Sequence, residues 1–299
     1  MTMNKILFNG DSKLELKKVQ DNSVDMLCTD PPYGYSFMNK GWDKVLPDVE
    51  IWKESFRVLK EGSFICVMAA PRSDVLWRLR RDLEGAGFNL SFSNIEWVYH
   101  TGFPKAGDTK KMIEKRGLDG QKYEGSKLGF QPKPAREIIV VGMKPFKEKS
   151  YIDKVLKFEE LPENIQRTYP LIQTPKPSKK EKHMGLSGED KPLKKDFGYK
   201  KNYSNGKEYT KGIGKNNHPT IKPIKLMSYL ITLFTREGDY VLDPFMGSGT
   251  TGLACKLLNR NFIGIDFTKE YFDIATERLE VSREELINTL KIKVQGELF

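Results

Sequence analysis

Short apolar runs alternate with longer segments of helical period through the first third of the chain. Val24–Asp30 (VDMLCTD), Ser63–Ala70 (SFICVMAA) and Ile95–His100 (IEWVYH) are runs of strand length with few polar interruptions. Strands buried on both faces of a parallel sheet show this pattern. Between them, IWKESFRVLK (Ile51–Lys60) and SDVLWRLRRDLEGAG (Ser73–Gly87) space their apolar residues as amphipathic helices do. The second closes on an arginine-rich turn and on Gly85 and Gly87, which are helix-stop signals. The pattern resumes at His218. An apolar helix (Ile224–Thr235) precedes a strand (Asp239–Asp243), a glycine-rich turn, a helix (Thr250–Arg260), a strand (Asn261–Asp266) and one long charged helix. Strands alternating with helices predict an α/β fold, Rossmann-like, with a mainly parallel sheet.

The stretch from Pro104 to Asn217 departs from this rhythm. It is rich in Lys, Gly, Pro and Tyr, and one strand-like run, Glu137–Pro145 (EIIVVGMKP), breaks it. Thr174–Asp196 (TPKPSKKEKHMGLSGEDKPLKKD) reads as loop or partly disordered chain. The expected organisation is a core of residues 1–103 and 218–299 with an inserted region, 104–217.

Charge gives that insert a role. The chain carries a net +10; residues 104–217 hold 27 Lys+Arg against 15 Asp+Glu, and the rest holds 23 against 25. The whole excess lies in the insert, so a polyanionic partner such as duplex DNA is expected there. The plainer alternative is a solvated lysine-rich surface. No apolar run reaches the roughly 18 residues of a membrane span, and the start lacks a signal-peptide pattern, so a cytoplasmic protein is expected. Cys28, Cys66 and Cys255 sit among apolar neighbours, as buried small hydrophobes do. His100, His183 and His218 show no metal-ligand spacing.

Two motifs carry chemistry. The first is Asp243–Gly252, DPFMGSGTTG, in which Gly247, Gly249 and Gly252 match G-x-G-x-x-G between a strand and a helix. Asp266 ends the next strand, placed for ribose hydroxyls. The pair implies an adenosine-containing cofactor, either a dinucleotide or S-adenosylmethionine. An acid at Asp243 repels a pyrophosphate but accepts a hydrogen bond from an ammonium, which favours S-adenosylmethionine. No Gly-Lys-Ser/Thr follows, which excludes a P-loop.

The second motif is Thr29–Gly34, TDPPYG, directly after a strand. Two prolines stiffen an extended path at the sheet's carboxyl edge, where ligands bind. Asp30 and the Pro31 carbonyl can accept both hydrogens of an exocyclic amino group and turn its lone pair toward an electrophile. Tyr33, expected to be exposed, would stack on the base, a contact worth about 1–3 kcal/mol. Flipping the base from the duplex costs a few kcal/mol.

Together these motifs resemble the DNA amino-methyltransferases of adenine-N6 and cytosine-N4. Their order, DPPY first and the glycine-rich motif last, is similar to the β class of bacterial and phage enzymes. Asn217–Pro223 (NHPTIKP) resembles the family's cofactor-associated segment, and Asn9-Gly10-Asp11 its early acidic motif. Pro134–Pro145 (PAREIIVVGMKP) resembles the strand after the catalytic units. The resemblance implies catalytic roles for Asp30, Pro31, Pro32 and Tyr33. It implies cofactor contacts from Asp11, Thr220, Lys222, Pro223, Asp243, Phe245, Gly247, Ser248, Gly249, Thr250 and Asp266. The variable region would read duplex DNA. The Asp form of the motif favours adenine over cytosine; an RNA methyltransferase is the more distant alternative. A homodimer and a partner restriction endonuclease stay open.

Overall fold

The computed structural model describes residues 3–34, 46–99, 107–128, 135–148, 150, 153, 171–187, 202–204, 207–209, 215–218 and 220–291. Its strands are β1 (Lys5–Asn9), β2 (Val24–Thr29), β3 (Leu59–Ala69), β4 (Ile95–Val98), β5 (Gly107–Asp108), β6 (Lys127–Leu128), β7 (Arg136–Met143), β8 (Leu171–Gln173), β9 (Asn202–Ser204), β10 (Lys207–Tyr209), β11 (Tyr240–Asp243) and β12 (Asn261–Asp266). Eight of them form one sheet in the order β1-β12-β11-β2-β3-β7-β4-β8. β1, β12, β11, β2 and β3 pair in parallel. β7 runs antiparallel to both β3 and β4, and β8 is parallel to β4. The α/β class and the mostly parallel sheet expected from the apolar runs are observed.

Alternate residues of each strand feed opposite faces. Met26, Cys28, Cys66, Met68, Ile139 and Val141 pack beneath the helix Ile224–Phe234. Leu27, Ile65, Val67, Ile138 and Val140 pack with Trp52 of the helix Val49–Val58. Burial on both faces is why these strands read as continuous apolar runs. The three cysteines are fully buried.

Several expectations change. β1 is an edge strand, KILFN, with no fully buried position, and no strand is expected there from the apolar runs. The long charged C-terminal helix is two helices, Lys269–Arg278 and Arg283–Leu290. Val281 is buried at the break, and the Ser282 hydroxyl accepts from the Glu285 amide at 3.1 Å, capping the second helix. The insert 104–217 is not wholly separate from the core, because it supplies β7 and β8. Part of Thr174–Asp196 is ordered: a short helix, Lys179–Lys182, with Pro177 and Met184 buried. The remainder of that expected loop, 188–196, lies outside the described residues.

Candidate active site

The carboxyl ends of the parallel strands form one rim. β2 ends at Thr29, β11 at Asp243 and β12 at Asp266, so the two motifs, remote in sequence, become neighbours. A buried hydrogen bond joins them: the Thr29 hydroxyl donates to Asp243 Oδ1 at 2.6 Å. β7 runs the other way, so its first residues, Arg136 and Glu137, lie on this same rim.

Asp30 meets two side chains there, and both also reach Glu137. Its Oδ2 pairs with the Lys222 ammonium, and its Oδ1 accepts from the Tyr33 hydroxyl at 2.7 Å. The same hydroxyl lies 3.2 Å from Glu137 Oε2, and Lys222 Nζ lies 3.4 Å from it. Lys222 is 7% exposed at the side chain and Glu137 16%. Burial pushes the Lys222 pKa down, but Asp30 and Glu137 outweigh it and hold the ammonium above its ordinary range. Burial pushes Glu137 up, Lys222 pulls it down, and Asp30 raises it again. Burial also raises Tyr99, just beyond β4, to about 12, with Glu137 adding to the shift.

Two expectations are revised by this cluster. Tyr33 is partly buried and hydrogen-bonded rather than freely exposed. Lys222, expected at the cofactor, directs its ammonium to Asp30 and Glu137. Glu137 had no place among the expected site residues. The signal lay in β7: the opening residue of a strand that reverses direction lands on the catalytic rim.

The glycine-rich turn is held from several sides. Gly247 and Gly249 adopt φ of +53° and +78°, which L side chains rarely adopt. A Cβ on Gly247 would also stand 2.8 Å from His218 Nε2. His218 is packed edge-on by Tyr271, and the Thr220 amide donates to its Nδ1 at 3.4 Å. Gly249 caps the helix Thr250–Leu257, and Pro223 caps Ile224–Phe234. Phe245 packs 5.7 Å from Trp52, centroid to centroid. The Asp11 carboxylate caps the short helix Ser12–Glu15, accepting from the Lys13 amide at 2.9 Å. The neighbouring Asn9 and Gly10 donate to the Asp266 carbonyl at 2.8 and 3.1 Å.

The two acids of this half are engaged more than the sequence implied. Asp243 is 3% exposed and accepts from Thr29, from Thr251 at 2.6 Å and from the Phe245 amide at 3.1 Å. It braces the rim from inside, with Oδ1 taking two donors and Oδ2 the Thr251 hydroxyl. Burial raises its pKa to about 6, opposed by those hydrogen bonds. Asp266 Oδ2 accepts from the Gly247 amide at 2.9 Å and Oδ1 from the Thr268 amide at 2.7 Å. Each oxygen keeps a second lone pair. Burial raises Asp266 to about 7, against the two amides. Phe267 follows, 76% exposed.

Residues 174–187 bind the insert to the cofactor half. Arg278, fully buried, donates to the Ser248 carbonyl and hydroxyl and to the Glu181 carbonyl. Its pKa is lowered to about 10 by burial, with Glu181 opposing. The Glu181 carboxylate accepts from the Ile224 amide at 2.7 Å, at the start of the helix that follows Lys222. The hydroxyl of Ser248, expected on the cofactor, thus meets Arg278 at 3.0 Å.

Comparison with known proteins fits this geometry. Residues 24–277 match the DNA methylase family of N6 and N4 methyltransferases. The chain belongs to that family. It is 28% identical to the DNA adenine methyltransferase YhdJ of Escherichia coli, over 97% of this chain and 88% of that one. Its fold is similar to the crystal structure of an M1.HpyAVI–SAM complex, with a TM-score of 0.55, 24% identity, and coverage of 92% and 100%. It is also similar to PvuII DNA methyltransferase, described as cytosine-N4-specific, with a TM-score of 0.58, 21% identity, and coverage of 97% and 93%.

Proposed function

We propose that this DNA methyltransferase moves the methyl of S-adenosylmethionine to the exocyclic amino group of an adenine flipped out of duplex DNA. The observation that carries the reading is the Thr29–Asp243 bond, which sets the DPPY segment beside the glycine-rich turn. When bound, S-adenosylmethionine supplies an electrophilic methyl. The positive-φ glycines fit a ligand approaching the backbone closely, Asp266 retains acceptor capacity for ribose hydroxyls, and Phe267 offers a flat apolar face for the adenine ring. Asp30 and the Pro31 carbonyl accept the target's amino hydrogens, Pro32 stiffens the segment, and Tyr33 flanks the base. Adenine is favoured by the Asp form of the motif and by the likeness to YhdJ. Cytosine-N4 is the second reading, favoured by the likeness to the PvuII enzyme. Labelled methyl transfer to duplex DNA, RNA and protein tests the reading, with duplex DNA the expected acceptor; labelled RNA or protein alone would overturn it.

Cofactor binding should depend on pH. Protonated Asp266 loses an acceptor, so affinity should rise as pH passes upward through about 7 and level off above. Below that point it should fall by up to about tenfold per pH unit. Isothermal titration between acid and mild alkali tests this, and Asp266→Asn should flatten the profile.

DNA affinity should come largely from the insert. Lys176, Lys179 and Lys180 are exposed on the segment that straps it to the core. Each phosphate contact contributes a slope of about −0.9 in log affinity against log salt. Replacing the three by Gln should make the slope shallower; an unchanged slope would remove them from the DNA face.

A further inference from the structure

Lys222 occupies the place that the proposed function reserves for the substrate. Its ammonium rests on Asp30 Oδ2, and Asp30 is the carboxylate assigned to the target amino group. An amino group arriving at Asp30 must compete with a buried cation for the same oxygen. An ammonium displaced within such a site needs another anion at hand, because an unpaired buried charge is strongly disfavoured. Glu137 Oε2 stands 3.4 Å from Lys222 Nζ, within reach of the same ammonium. The Tyr33 hydroxyl spans the two carboxylates, at 2.7 and 3.2 Å.

We propose that Glu137 is a positioning residue: it receives the Lys222 ammonium when the target amino group takes Asp30. Before the base arrives, Lys222 stands in for the amino group and holds Asp30 in place. With the base bound, Lys222 shifts onto Glu137, and Asp30 is released to orient the nitrogen. No covalent bond changes in this exchange; one cation moves between two anions. Two carboxylates for one ammonium leave one negative charge facing the nitrogen that becomes cationic on methylation. The other charged or titratable neighbours do not replace Glu137. Tyr99 is neutral at ordinary pH, with Lys176 over its ring at 4.5 Å; Arg136 is paired with Glu96 at 2.8 Å; and Asp243 is held by two threonine hydroxyls and an amide.

The inference rests on the reading of Asp30 as the residue that binds the target amino group. Four proteins test it: wild type, Glu137→Gln, Lys222→Met and the double variant. Each is assayed for single-turnover methyl transfer to duplex DNA, for KM and for the dissociation constant of S-adenosylmethionine. Glu137→Gln should slow the single-turnover step by about 10–100-fold, the size of effect of losing a hydrogen bond to a charged group, with cofactor affinity unchanged. Lys222→Met should also be slow, because it leaves two facing carboxylates without their cation. The double variant should be faster than Glu137→Gln alone, since no stranded ammonium then blocks Asp30. A merely structural Glu137 would give no such rescue. Wild-type turnover in Glu137→Gln, or a double variant as slow as the product of the two singles, would overturn the inference. Asp30→Ala, run alongside, separates the failures: if it keeps wild-type turnover, the reading of Asp30 itself falls.

Discussion

Asp30→Ala is expected to cut single-turnover methyl transfer by about 10²–10³-fold, the usual loss when a preorganised polar partner of a reacting group is removed. The reason is electronic. The nitrogen of an aromatic amine shares its lone pair with the ring, and only acceptors on both hydrogens turn that pair outward. Without Asp30 one acceptor is gone, and Lys222 is left with Glu137 alone. S-adenosylmethionine affinity should stay near the wild-type value, because the carboxylate belongs to the target side of the Thr29–Asp243 bond. Asp30→Asn should fall close to Ala, since an amide keeps the shape but loses the charge. Rapid-quench measurement of methyl transfer, with isothermal titration of the cofactor, reads both parts. A variant as fast as wild type would remove Asp30 from the reaction.

Asp243→Ala should act differently, on the fold as well as on the cofactor. Three buried or partly buried donors converge on this carboxylate: the Thr29 and Thr251 hydroxyls and the Phe245 amide. A donor left unpaired in the interior costs about 1–3 kcal/mol, and removing a desolvated carboxylate returns some of that, so a net loss of about 2–4 kcal/mol is expected. The loss should depend on pH. Because burial raises Asp243 to about 6 in the folded chain, its proton stabilises the native state below that pH, and this contribution is lost as pH rises through about 6. The alanine variant lacks it, so the gap between the two proteins should be wider in acid than at neutral pH. Urea denaturation at both pH values checks this. Equal stability throughout would mean that Asp243 is no strut.

The sequence exposes whatever a short stretch of backbone decides. The glycines of DPFMGSGTTG are legible because left-handed residues between a strand and a helix need them, and Gly247 and Gly249 do adopt positive φ. Asp30 and Tyr33 are legible because the prolines between them fix a local path. Glu137 is not legible, because its place on the rim depends on β7 reversing direction and pairing Trp97 with Glu137. The Lys222–Asp30 pair spans 192 positions, and no local pattern announces it. The engagement of Asp243 was hidden for the same reason: an acid ending a strand is visible, but the hydroxyl of Thr29 arrives from another strand. Residues 174–187 looked like loop because the stretch is polar, and its contacts run to partners remote in sequence, among them Trp97, Glu277 and Arg278.

The chemistry at Asp30 is expected to end on the exocyclic nitrogen of adenine. The most direct measurement is to methylate duplex DNA with labelled S-adenosylmethionine, digest it to nucleosides and identify the labelled one by mass spectrometry. The label is expected in N6-methyladenine. Label in N4-methylcytosine with none in N6-methyladenine would contradict it.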